Sequence, residues 1–222
     1  MSAVSELDDL TTSATRAESD SAEAARAAVE SLPWLTTAID DDRAHARFGV
    51  WGRSTVIDEN IGTPVISRAL FDELHRRAGA DGSWPHGNAG LLHCYGYLLS
   101  LAETPYGLKR ERWIGTDLAH ACGLASDAFV PWSGATTLLA RATAAAASLL
   151  AAPATSATGI VHDRRTRVAL SAQEGPAALA YEVAASPVGP PLLITLFPVT
   201  DASSVLREFE DEDAPRLRWN AA

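Results

Sequence analysis

A single lysine stands among the eighteen lysine and arginine residues of this chain, and its surroundings are dense in polar and aromatic side chains. Lys109 lies in residues 104–113, which read TPYGLKRERW. A position that needs only positive charge can be arginine, whereas an amine that must lose its proton has to be lysine, since guanidinium stays charged. The residue type therefore makes Lys109 a candidate for proton-transfer or Schiff-base chemistry. A lysine left over by chance is the alternative.

The residues around Lys109 could form an anion site if this segment is a strand. Lys109, Glu111 and Trp113 would then share one face, and Arg110 and Arg112 the other. Paired guanidinium groups hold carboxylates and phosphates well, and Glu111 could orient the lysine amine. The alternative is a solvated strand of alternating charge, anchored by its tryptophan.

Histidine and tyrosine residues are concentrated just before Lys109, in a chain whose aromatic content is 7%. Such groups supply general acids and bases with an aromatic floor. Tyrosines on a half-buried strand can equally pack their rings and partner their hydroxyls. We expect Lys109, His93 and Tyr97 to be catalytic. The residues expected to bind substrate are Arg53, Arg110, Arg112, Tyr95, Trp113 and His86.

Two weaker candidates have simple structural alternatives. His162 stands next to Arg164, Arg165 and Arg167, a combination that could cleave RNA by acid–base catalysis with phosphate stabilisation. A tight basic turn that joins two strands explains the same residues. Cys94 follows His93 directly, but neighbouring residues diverge on a strand or a helix, so a buried inert thiol is the favoured interpretation.

Composition excludes several classes of protein. The formal net charge of −10 argues against broad contact with nucleic acid or an anionic membrane. No signal peptide and no apolar run of ~20 residues is visible. Two cysteines make no disulfide framework, and no metal, dinucleotide or P-loop motif occurs. We expect a cytoplasmic protein with no metal and no organic cofactor, whose partner is a small molecule; a homodimer is left open.

The elements that must position these residues begin after a polar start. Residues 1–18 are predicted to be a disordered tail, because they lack sustained periodicity and apolar content. A helix is predicted over 19–32, with Asp20 as its cap and Glu23 as the capping-box partner. We expect residues 19–222 to form a single domain.

The middle of the chain mixes clear and ambiguous signals. A strand over 47–57, a helix over 64–78 ended by Gly79, and a loop over 81–88 follow from local patterns. Residues 91–101 fit a helix or a strand, and their aromatic content favours the strand. A second strand is predicted from Leu108 to Ile114, and a short helix from Thr116 or Asp117 to Gly123.

The last third is predicted to contain the sheet. An alanine-rich helix over 138–152 precedes strands over 159–161, 167–171, 178–184 and 192–199, and then a short helix over 205–209. Strands without regular βα alternation favour the α+β class, an antiparallel sheet with helices packed on one face.

These residues best suit a small enzyme without a cofactor, with acid–base chemistry of the lyase, isomerase or cyclase type. Its substrate would be a small anionic or polar metabolite, and its alanine- and arginine-rich composition suggests bacterial specialised metabolism such as antibiotic biosynthesis. A ligand-binding or regulatory module with the same pocket is the second hypothesis. An endoribonuclease centred on His162 is the third.

Overall fold

The structure, a computed structural model, describes residues 3–161, 163–184 and 189–211. Within these ranges the helices are α1 (Ala3–Ala17), α2 (Ala22–Glu30), α3 (Pro33–Ala44), α4 (Arg68–Ala78), α5 (Ala89–Cys94), α6 (Glu111–Ile114), α7 (Asp117–Ala121), α8 (Leu138–Ala151) and α9 (Ala202–Asp211). The strands are β1 (Arg53–Thr55), β2 (His86–Asn88), β3 (Glu103–Thr104), β4 (Gly107–Leu108), β5 (Thr155–Val161), β6 (Arg164–Leu170), β7 (Ala177–Ala184) and β8 (Pro191–Val199). Two 3-10 turns cover Arg47–Val50 and Gly96–Leu99.

The main sheet has four antiparallel strands in the order β5-β6-β7-β8. Period-2 alternation gives it two different faces. Ala178 and Ala180 face α8 and the main core, whereas Leu179 and Tyr181 face a second core that Phe209 of α9 completes. The α+β class with an antiparallel sheet is confirmed. Most helices lie on one face, as predicted, and α9 covers part of the other.

The first eighteen residues contain a helix rather than the predicted disordered tail. In α1, Leu10, Ala14 and Ala17 are at most 1% exposed, and the helix packs against α2 and the 3-10 turn Gly96–Leu99. The prediction was wrong because the buried face of α1 consists of small and polar residues around a single large apolar one, Leu10: the others are Glu6, Ser13, Ala14 and Ala17. Small residues lower the mean hydropathy of a segment without preventing it from packing closely.

The next helix agrees with the prediction, but its cap differs. Ser21, not Asp20, accepts a hydrogen bond from the backbone N–H of Ala24 at the start of α2. Asp20 instead accepts from the backbone N–H of Ala69, in the first turn of α4. A single acceptor thus ties the loop before α2 to the start of α4.

Residues 91–114 contain no strand of the predicted kind. Asn88 caps α5 by accepting from the backbone N–H of Leu91 at 3.0 Å. All six residues of α5 are buried, so the segment has no polar face from which helical periodicity could be recognised. Residues 108–114 contribute only the end of the short hairpin β3–β4, followed by the single turn α6.

The predicted strand over 47–57 is a 3-10 turn followed by the three-residue strand β1, which pairs with β2 inside the predicted loop. Gly52, which lies between the 3-10 turn and β1, contacts β8 of the main sheet, because its backbone N–H donates to the Leu193 carbonyl at 2.7 Å. A Cβ on Gly52 would lie 2.8 Å from Ile194 Cδ1 and 3.3 Å from Leu192 Cβ, so a larger residue here would require these side chains to shift. No helix within the described ranges is long and apolar enough to cross a bilayer.

Candidate functional site

The ring of Tyr97 is the centre of a cluster that brings the three predicted catalytic residues together. His93 stacks on this ring with the centroids 4.9 Å apart. On the same ring, Lys109 Nζ lies 5.5 Å and Arg112 Cζ 5.7 Å from the centroid. We call these residues, with Asp58, the Tyr97 cluster. Two cations and a histidine therefore contact the same aromatic ring.

One hydrogen bond holds the parts of this cluster in place. Trp113, fully buried on α6, donates its indole N–H to the backbone carbonyl of His93 at 2.7 Å. Arg112 precedes Trp113 on the same turn, and Lys109 lies just before the turn. Because the tryptophan is anchored to α5, both cations are held near His93 even though the predicted strands are absent.

Arg112 is a partly buried residue whose guanidinium has few hydrogen-bond partners. It donates one hydrogen bond to the Thr195 hydroxyl at 3.3 Å and contacts the Phe197 ring at 5.3 Å from its centroid. Burial lowers the pKa of Arg112, and the nearby carboxylates of Asp58 and Glu59 oppose that shift. Among the described residues, no carboxylate lies within ion-pair distance of this group. A group with five donors is thus poorly compensated.

Lys109 forms an ion pair with Asp58. The lysine side chain is 16% exposed and the aspartate 1%. Burial raises the pKa of Asp58, but the Lys109 ammonium outweighs this effect, so the pKa lies below its usual value. The predicted partner Glu111 lies elsewhere and accepts from the backbone N–H of Leu108 at 3.0 Å. This ion pair therefore holds Lys109 at the rim of the cluster.

His93 is 3% exposed, and its Nε2 lies 3.1 Å from Ser54 Oγ. Its Nδ1 is buried and has no hydrogen-bond partner among the described residues. Burial, followed by the charges of Arg112 and Lys109, holds the pKa of His93 well below its usual value. Burial also raises the pKa of Tyr97. The cluster thus combines a neutral imidazole, a protonated phenol and two cations.

Four predicted binding residues lie outside this cluster. Tyr95 donates its hydroxyl hydrogen bond to Asp42, and Arg110 donates to the Thr11 hydroxyl at 3.2 Å. His86 lies on β2, opposite Thr55 of β1. Arg53 lines a separate open cleft. Arg110 and Arg112 diverge because two residues on a helical turn are rotated by about 200°.

A second charged group, Asp42, lies near the end of α3. We call Asp42 and its hydrogen-bond partners the Asp42 cluster. Asp42 is fully buried. It accepts hydrogen bonds from Arg47 at 2.8 Å, from Thr137 at 2.6 Å and from Tyr95. All three groups donate to the carboxylate, so this charge is well satisfied inside the protein.

Sequence reasoning missed three members of the site: Asp58, Ser54 and Thr195. Thr195 is 83 residues from Arg112, and Ser54 is 39 residues from His93. No local pattern connects positions so far apart, since these contacts arise only when β1, β8 and α5 pack together. Asp58 had a weak local signal, a turn of Asp, Glu and Asn residues, but nothing in that turn indicates a lysine partner.

The cleft that contains Arg53 has a volume of about 770 Å³ and is open to solvent. Arg43 at the end of α3 and Arg164 at the start of β6 line it with Arg53, together with Asp81. Neither Lys109 nor His93 lines this cleft. The predicted anion-binding residues are therefore divided between two places.

The remaining chemical candidates have ordinary surroundings. Cys94 is fully buried, and burial raises the pKa of its thiol. His162 lies outside the described residues, but the strands on either side of it form a tight hairpin in which Val161 pairs with Arg164. Arg167 lies 3.7 Å from Glu182. Within the described part of the chain, no group of three or more histidine, cysteine or acidic residues could hold a metal.

Comparison with known proteins gives no relative from which a role could be taken. No protein-family model, no curated protein and no solved structure matches this chain.

Proposed function

We propose that this protein is a small enzyme that binds an anionic metabolite at Arg112 and carries out acid–base chemistry on it with Lys109, His93 and Tyr97. The observation that carries the proposal is the partly buried, desolvated guanidinium of Arg112, which is poorly compensated. A buried cation without a close carboxylate is costly. A ligand carboxylate or phosphate would supply the missing partner through bidentate hydrogen bonds.

The surrounding groups suit proton transfer. Lys109, as an ammonium, is a proton donor at the rim, and its partly exposed side chain is within reach of a ligand on Arg112. The lowered pKa of His93 keeps the imidazole neutral, which is the protonation state that a general base requires. Environments that favour opposite protonation states are how acid and base roles are assigned in such sites. Lyase, isomerase or cyclase chemistry needs no group beyond these.

Ligand binding without turnover is the second candidate, favoured by the burial of His93 and Tyr97, which are 3% and 4% exposed. A substrate could reach them only if α6 or the turn Gly96–Leu99 moved. In both versions the ligand is a small anion. The proposed setting is bacterial specialised metabolism in the cytoplasm, on the strength of composition alone.

A screen of carboxylate and phosphate metabolites would test the proposal, with binding read by thermal shift and turnover by mass spectrometry. Arg112→Gln should abolish the thermal shift. Lys109→Arg should keep binding and lose turnover, because guanidinium cannot give up its proton. The matched control is Arg110→Gln, which removes the same charge two residues away and should behave as wild type.

The outcomes separate the two versions. A ligand that binds wild type but is never converted would support the binding module. Normal turnover by Lys109→Arg would remove lysine from the mechanism. A thermal shift that survives Arg112→Gln would refute the site itself.

A further inference from the structure

We infer that the open cleft between α3, β1 and β6 is a second binding site, specific for a small phosphate monoester. This inference is independent of the proposed function, because the cleft shares no residue with the Tyr97 cluster. Three arginines from separate elements line it: Arg43, Arg53 and Arg164.

The charge of the cleft favours a dianion. Three guanidinium groups and the one carboxylate among the lining residues, Asp81, give a local charge of three minus one, or +2. A phosphate monoester carries about −2 at neutral pH. The chain as a whole has a formal net charge of −10, so this patch is opposite in sign to the rest of the molecule. Such a cleft would concentrate a small anion against a repelling surface.

The three arginines have guanidinium donors to spare. Arg43 donates to the backbone carbonyl of Arg77 at 3.1 Å, which fixes its position and leaves other donors free. Among the described residues, none of the three forms an ion pair. Other arginines do have acidic partners: Arg47 and Arg77 both form ion pairs with aspartates of α3.

The size and walls of the cleft suit a metabolite rather than a polymer. A volume of about 770 Å³ lies within the usual range for small-molecule sites. Much of the wall is formed by residues with little or no side chain, which allow a ligand to approach the backbone closely. These residues are Ala46, Gly49, Gly52, Ala78, Gly79, Ala80 and Gly82.

Calorimetric titration of the full chain with inorganic phosphate, AMP and adenosine would test this site. AMP and phosphate should bind and adenosine should not, and added salt should weaken the binding. Arg53→Gln and Arg164→Gln should each weaken AMP binding about tenfold or more. Asp81→Asn should tighten it about threefold, because it removes a repelling charge.

Arg165→Gln is the matched control. It lies beside Arg164 on β6 but points to the other side of the strand, and it removes the same charge without lining the cleft. It should leave AMP binding unchanged, as should Arg112→Gln, which reports on the other site. Circular dichroism melts would verify that each variant is folded.

Three results would overturn the inference. They are failure of both phosphate and AMP to bind, equal binding of adenosine and AMP, and an equal loss in Arg164→Gln and Arg165→Gln. Loss of AMP binding in Arg112→Gln alone would place the phosphate in the Tyr97 cluster instead.

Discussion

Two charged groups, the buried Asp42 and the partly buried Arg112, contact neighbouring tyrosines of one short segment but have different numbers of partners. Tyr95 reaches Asp42, while Tyr97, two residues later, carries Arg112 and Lys109 against its ring. Asp42 receives three hydrogen bonds from side chains. Arg112 makes one, to Thr195. A charge needed only for folding is surrounded by partners, and a charge left without them is available to a ligand.

The largest expected effect tests the satisfied charge. Asp42→Ala should lower the free energy of unfolding by about 3 kcal/mol or more, because it leaves the buried Tyr95 hydroxyl and the partly buried Thr137 hydroxyl without their shared acceptor and removes one of the two carboxylates that pair with Arg47. Asp41→Ala is the control. The Asp41 side chain is 42% exposed, so its loss should cost clearly less than the loss of Asp42. Chemical denaturation measures both, and equal losses would contradict the distinction between the two aspartates.

The two tyrosines give a matched pair. Tyr95→Phe should cost about 2 kcal/mol of unfolding free energy, since it removes a hydrogen bond to a buried carboxylate. Tyr97→Phe keeps the ring that His93 and the cations contact, so it should cost clearly less. Urea denaturation of both variants would measure the difference. A larger loss in Tyr97→Phe would mean that its hydroxyl, not its ring, holds the Tyr97 cluster together.

Acid should weaken the Tyr97 cluster through His93. Its folded pKa is depressed by burial, whereas the unfolded histidine titrates near 6.5. Below that pH the unfolded chain takes up a proton that the folded one refuses, so stability is present above about pH 6.5 and falls as the pH drops. Each such histidine contributes a slope of up to about 1.4 kcal/mol per pH unit.

Melting curves from pH 8 to pH 5 would check this expectation. His75 is also buried with a lowered pKa, so His93→Gln should reduce the slope but not remove it. An unchanged slope in that variant would mean that His93 is protonated in the folded protein.

The smallest expected effect has the opposite sign. Arg112→Met should keep the packing against Tyr97 and Phe197 and remove a desolvated charge, so the free protein should become more stable by about 1 kcal/mol. Ligand binding should be lost at the same time. A thermal melt with and without ligand measures both. A large destabilisation would place Arg112 with Asp42, as a charge that the fold requires.

Local sequence signals predicted the C-terminal sheet, but they did not predict the helix α5 that carries His93. Pro153, Gly175 and Pro176 separate apolar segments, so α8 and strands β5 to β8 were predicted near their observed positions. The helix α5 is buried on all sides, and without a polar face its period could not be recognised. Its cap, Asn88, is the last residue of the loop that the sequence predicts over 81–88.

The site residues were selected by chemical type rather than by position. Lys109, His93 and Tyr97 do come together, but through the bond from Trp113 to the His93 carbonyl and not through paired strands. The partners Asp58 and Thr195 could not be predicted, because tertiary packing alone brings β8 and the loop after β1 to α6.

The N-terminal helix has a practical consequence for anyone who prepares this protein. Leu10 is fully buried, and the Thr11 hydroxyl accepts from Arg110, beside the Tyr97 cluster. A shortened version that starts at residue 19, the natural choice for a crystallographer trimming a polar terminus, would uncover the surfaces of α2 and of the 3-10 turn Gly96–Leu99 against which α1 packs. Such a sample would be prone to aggregate. Binding data collected on it would describe a protein that lacks α1.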